Sequence, residues 1–127
     1  MFLLDTHTLL WFLFNSEQLS GKAKDAICEA DQVFVSIVSL WEIAIKQSIG
    51  KLELDESIEA IASVCRDKDI RIIGVRPDQI EAIKTLPDIH KDPFDRLLIA
   101  QAMVDHLTII TRDTKIAQYT SVTTFWN

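Results

Sequence analysis

The chain alternates short, wholly apolar runs with longer stretches in which apolar residues recur every three to four positions. Phe2-Leu3-Leu4 is the first run, unbroken by a polar residue until Asp5, and it predicts a buried, central strand. Val33-Phe34-Val35, Arg71-Ile72-Ile73-Gly74-Val75 and Thr108-Ile109-Ile110-Thr111 predict three more strands, and Val122-Thr123-Thr124-Phe125 a last β-rich piece. The stretches between them read as helices. Thr8–Phe14 is apolar on most sides, and Ser20 to about Ala30 sets Ala23, Ile27 and Ala30 on one side. Ser36 caps Ile37–Ile49, which Gly50 stops. Ser57–Asp67 follows, then a helix from Pro77 to near Leu86-Pro87, one from Asp92 to about Asp105, and a short one around Thr114–Tyr119. Apolar strands alternating with helices predict an α/β chain: a three-layer α/β/α sandwich around a mainly parallel sheet of four to five short strands. No repeat or linker interrupts the pattern, so residues 1–127 read as a single domain.

Four acids break this pattern. Asp92 is a good N-cap with Pro93 at the first helical position. Asp95 then heads a stripe continued by Leu98, Ile99 and Ala102, a poor place for a charge that serves no purpose. Asp5 ends the first strand and Asp113 follows the fourth; in open parallel sheets ligands bind outside the carboxyl ends of the strands. Glu42 borders the apolar arc of its helix, with Lys46 at i+4 as a local partner. Each acid has an ordinary role when taken alone: Asp5 and Asp113 as helix starts, Asp95 as a complement to the helix dipole, Glu42 as half of an ion pair. Together they would repel one another unless a hard divalent cation joined them, and oxygen ligation suits Mg²⁺ or Mn²⁺ better than zinc.

Such a site hydrolyses phosphodiesters. Thr6 and Thr111 carry hydroxyls that orient water there, or else cap turns. Lys46, Arg96 and Arg112 stand beside acids and either hold flanking phosphates or form ion pairs. His7 and His90 lack a second His or Cys at ligand spacing and read as packing or supporting groups.

Composition narrows the setting. The 127 residues are 48% hydrophobic and 25% charged, enough for one globular domain. Cys28 and Cys65 match no metal or redox spacing and are expected to be reduced and buried, which suits a cytoplasmic protein. The apolar start Met1–Phe14 lacks a basic leader and carries Asp5 and His7, and no window is apolar enough to span a bilayer. The net charge of −6 argues against a broad basic nucleic-acid surface but not against a cation-assisted phosphate site.

Leu3-Leu4-Asp5-Thr6-His7, Ser36-Ile37-Val38-Ser39-Leu40-Trp41-Glu42-Ile43, Asp92 through Ala102 and Ile110-Thr111-Arg112-Asp113 resemble, in order and spacing, the four acidic motifs of PIN-domain nucleases. The likeness is strongest to the VapC-type toxins of bacterial toxin–antitoxin pairs. The resemblance implies a Mg²⁺- or Mn²⁺-dependent endoribonuclease with Asp5, Glu42, Asp95 and Asp113 as its catalytic and metal-holding acids, and Thr111 as the hydroxyl residue before the last of them. It selects Asp95 over Asp92, as the helical stripe does. It further implies an RNA substrate, a homodimer and a small cognate antitoxin covering the acidic groove. The alternatives are an inactive binding module of the same fold, a dehalogenase-like phosphatase, which wants an Asp where His7 stands, and a receiver-type signalling domain, which wants a Lys where Thr111-Arg112-Asp113 stands.

Overall fold

In the computed structural model, which describes residues 1–127, the five apolar runs form one sheet. Its strands are β1 (Phe2–Leu4), β2 (Val33–Ser36), β3 (Ile70–Ile73), β4 (Thr108–Ile110) and β5 (Thr123–Phe125). Their order is β3-β2-β1-β4-β5, and every neighbouring pair is parallel. The strand without polar residues is therefore the central one. Alternation along it divides the core: Leu4 and Ile110 join one apolar cluster, Leu3 and Ile109 the other.

Six helices cover the sheet: α1 (Thr6–Leu13), α2 (Gly21–Glu29), α3 (Ile37–Ser48), α4 (Ile58–Asp67), α5 (Pro77–Ile83) and α6 (Pro93–Asp105). Leu9, Ala23, Ile27, Ile61 and Cys65 of α1, α2 and α4 pack into the cluster of Leu4. Leu98, Ile99 and Ala102 of α6 pack with Leu3 on the opposite face. Helix α3 reaches both, through Leu40 and Ile43 on one side and Val38 on the other. It ends at Gly50, whose φ of 73° is the left-handed geometry that closes a helix.

Several boundaries differ from expectation. Helix α1 starts at Thr6 rather than Thr8, because Asp5 caps it through a bond from the Thr8 N–H. Strand β3 covers Ile70–Ile73 rather than 71–75; it ends where its register with β2 ends, at Ile73 opposite Ser36. Helix α5 stops at Ile83, short of Leu86-Pro87. The helix expected around Thr114–Tyr119 is one 3-10 turn, Ile116–Gln118. Cys65 is buried as expected, but Cys28 lies on the outer side of α2 and is exposed.

Candidate active site

Strands β1 and β4 are paired in parallel, so both chains leave the sheet at the same edge, where α1, α3 and α6 begin. This edge gathers the four acids, and each is fixed by a different local device.

Asp5 is 5% exposed and used on both oxygens. One accepts the Thr8 N–H and so caps α1; the other accepts the Thr111 hydroxyl. Burial raises its pKa, and the bonds from Thr111 and Thr8 only partly oppose that rise. The same Thr111 oxygen accepts the N–H of Asp113 at 3.0 Å, so a single threonine ties the first strand's acid to the fourth strand's.

Glu42 is 4% exposed. Its carboxylate accepts the Thr6 hydroxyl at 2.6 Å and meets the Lys46 ammonium at 2.7 Å. Lys46, offered by the sequence as a phosphate contact, is thus already engaged, and the bond to Glu42 raises its pKa.

Asp95 stands one turn into α6. Asp92 accepts the N–H groups of Phe94 and Asp95 with one oxygen, at 2.8 and 3.2 Å, so Asp92 is the cap and Asp95 is left to face the other acids. Its pKa is pushed up to about 8, first by burial and then by the charges of Asp92, Glu42, Asp5 and Asp113. Asp113 behaves oppositely. Burial pushes it up, but bonds from His90 and from the Lys115 N–H outweigh that and hold it below the usual carboxylate value.

His90 is the residue whose place the sequence understated. Its Nε2 lies 3.0 Å from both Asp95 Oδ2 and Asp113 Oδ2, and these three side chains offer ligand atoms within 4.8 Å of one another. The other ring nitrogen, Nδ1, accepts the Asp92 N–H at 3.1 Å. A neutral imidazole has only one lone pair to offer. That bond therefore assigns the proton to Nε2, which donates to Asp113 and lies within ion-pair distance of Asp95 rather than ligating a cation. His90 lies in an irregular loop, where no periodicity marks a residue; the only signal was a histidine two positions before a helix cap.

Arg96 does not face this cluster as a phosphate contact. Its guanidinium donates to the carbonyls of Pro87 and Ile83, to that of His90, and to the Tyr119 hydroxyl, so it clamps the loop carrying His90 onto α6. Arg112 is exposed beside Trp11 and Gln18.

The donor set fits a hard divalent cation. Carboxylate oxygens from Asp95 and Asp113 converge, Asp5 and Glu42 add charge within electrostatic reach, and Asp95 ionises with difficulty because burial and its acidic neighbours outweigh the pull of the Lys46 ammonium.

Residues 2–121 match the family model of the PIN domain. The chain is similar to Ribonuclease VapC22 of Mycobacterium tuberculosis, with 26% identity over 118 residues that cover 92% of this chain and 90% of that protein. Among solved structures it is similar to VapBC2 from Rickettsia felis bound to a DNA fragment from its promoter (TM-score 0.74, 13% identity, 99% of this chain and 98% of that one). It is also similar to FitAcB from Neisseria gonorrhoeae (0.67, 18%, 98% and 96%) and to a toxin–antitoxin complex from Klebsiella pneumoniae (0.64, 23%, 96% and 95%).

Proposed function

The chain belongs to the PIN-domain family, and from that premise we propose that it is a Mg²⁺- or Mn²⁺-dependent endoribonuclease acting as the toxin of a toxin–antitoxin pair. The observation that carries this reading is the convergence of Asp95 and Asp113 on His90, with Asp5 and Glu42 raising the pKa of Asp95 from nearby. Asp5, Glu42, Asp95 and Asp113 would hold the cation. The chemistry it supplies is Lewis acidity: polarisation of a phosphodiester oxygen and acidification of water.

The chain's own residues do the rest. The Thr111 hydroxyl fixes the orientation of Asp5, and the Thr6 hydroxyl that of Glu42. His90 Nε2–H donates to Asp113 and stands beside Asp95, which keeps the two acids on one side of the imidazole. As water attacks phosphorus, a carboxylate of the group accepts its proton, the P–O bond to the leaving nucleotide breaks, and the departing oxygen is protonated from solvent. Lys46 moderates the charge of Glu42 rather than meeting substrate first.

The similarity to a ribonuclease named VapC22 supports RNA as substrate. The fold shared with a toxin–antitoxin complex supports a small antitoxin as protein partner, and a homodimer belongs to the same reading. No helix is long and apolar enough to cross a membrane, which agrees with work on RNA in the cytoplasm.

The test is purified protein, freed of any antitoxin, incubated with structured RNA and Mg²⁺ or Mn²⁺. Wild type is expected to cut and Asp5→Asn to be inert while still folding, since Asn caps a helix as well as Asp does. Equal cutting by the two proteins would mean that the activity belongs to a contaminant and would end the proposal.

A further inference from the structure

Beside the acids lies a surface that the cation chemistry does not use. A groove of about 420 Å³ is lined by His7, Trp11, Gln18, Arg112 and Asp113. Asp113 belongs both to this groove and to the acidic cluster, so the two are continuous. The His7 imidazole stacks on the Trp11 indole, with centroids 5.5 Å apart and planes 18° from parallel. The Arg112 guanidinium lies over the same indole, 4.4 Å from its centroid. Trp126 supports the indole edge-on at 5.9 Å, and Gln18 Oε1 accepts from Arg112 Nη2 at 3.2 Å. Three planar groups are therefore piled together, buttressed from behind, while His7, Gln18 and Arg112 remain exposed.

Each of these planes is a surface on which nucleobases stack, and a guanidinium also meets phosphate. On a chain of net charge −6, an exposed arginine held over an indole at the rim of an acid cluster has a clear use: it offers a favourable approach for a polyanion. We propose that the His7–Trp11–Arg112 pile is a nucleotide-binding shelf: an unpaired base of the RNA substrate extends the stack, and its phosphate leads along Arg112 to the acids. The shelf takes an unpaired base, because a base inside a duplex is already stacked and cannot be laid on the pile. This rests on the ribonuclease reading of the adjoining site, which it deepens.

The experiment separates binding from cutting. Binding is followed by fluorescence anisotropy of an end-labelled single-stranded RNA heptamer in Mg²⁺, with Asp95→Asn as the parent so that the RNA survives. Trp11→Leu and His7→Ala in that background are expected to weaken binding roughly five- to a hundred-fold, the usual effect of losing a stacking platform. Trp11→Phe keeps a ring and is expected to stay near the parent, which guards against a variant that simply loses its packing. An abasic nucleotide placed at each position in turn should weaken binding by the parent at one position, and should add nothing in Trp11→Leu. The same RNA annealed to its complement should bind poorly to both.

A folded Trp11→Leu that binds within two-fold of the parent, or that keeps the full abasic penalty, overturns the shelf, whatever wild type does to RNA. Wild type that binds through Trp11 but never cuts with Mg²⁺ or Mn²⁺ supports the shelf and removes the ribonuclease reading instead.

Discussion

At the scale of single residues, Asp95 is a side chain whose environment is poorly suited to its charge. It is largely buried, surrounded by like charges, and its pKa stands near 8. Such an arrangement lowers the stability of the metal-free protein and is relieved by a cation. Asp95→Asn removes the repulsion but keeps the shape. We expect it to raise the melting temperature in EDTA and to abolish the further rise that Mn²⁺ gives wild type; a variant that melts lower in EDTA, or still responds to Mn²⁺, contradicts this. Thr111 is the complementary case, a hydroxyl that touches Asp5 and the N–H of Asp113. Thr111→Val is nearly isosteric and leaves both acids in place without their tether. Groups that orient metal-holding acids typically matter about 10- to 100-fold in affinity or activity. That loss, in Mn²⁺ affinity by titration calorimetry and in cleavage rate, is the expected outcome for Thr111→Val.

At the scale of elements, the start of α6 divides its work between neighbours. Asp92 bonds the first N–H groups, Pro93 needs none, and Asp95 is released to the cluster. Asp92→Ala is therefore expected to lower stability by about 1 kcal/mol, the usual value of a cap, as read by urea denaturation. It should leave Mn²⁺ binding largely intact, whereas a stability-neutral Asp92→Ala that fails to bind Mn²⁺ would exchange the two roles. This division was legible in the sequence, because caps and apolar stripes are local signals. So was the sheet, since strands buried on both faces are written as apolar runs, and a fully apolar β1 belongs at the centre. The placement of His90 was not legible. It depends on the Arg96 guanidinium pulling the Pro87 and His90 carbonyls onto α6, a contact between an irregular loop and a helix that no period encodes. Arg96, open in the sequence between a phosphate contact and an ion pair, is instead taken up by loop carbonyls and the Tyr119 hydroxyl, partners that no local pattern names. The single 3-10 turn at Ile116–Gln118 escaped because buried Ile116 and Tyr119 pack where a full helix would also pack.

At the scale of the whole molecule, one sheet edge collects buried carboxylates, and this makes the stability of the metal-free fold depend on pH with a definite sign. Asp5 and Asp95 both have folded pKa values above their ordinary 3.8. Their protonated forms are favoured by folding, so their contribution is fully present below about pH 4 and is lost as pH rises, for Asp95 up to about pH 8. The other displaced groups act elsewhere. Asp78 and Asp113 are shifted below 3.8, so their stabilisation is lost only at lower pH. Cys65 and Lys46 are shifted above 9.0 and 10.5, and act in the alkaline range. Each pKa unit corresponds to about 1.4 kcal/mol, and whole domains are stable by only about 5–15 kcal/mol, so even a fraction of the Asp95 displacement is measurable. In EDTA, the melting temperature of wild type is expected to fall from about pH 4 to about pH 8, where Asp95 of the unfolded chain has given up its proton and that of the folded one still holds it. Asp95→Asn should flatten most of that slope, and saturating Mn²⁺ should reverse it, because the cation favours the ionised acids that the empty fold resists. A melting temperature that stays constant across this range in EDTA would mean that the acids at this edge do not confront one another as their positions require.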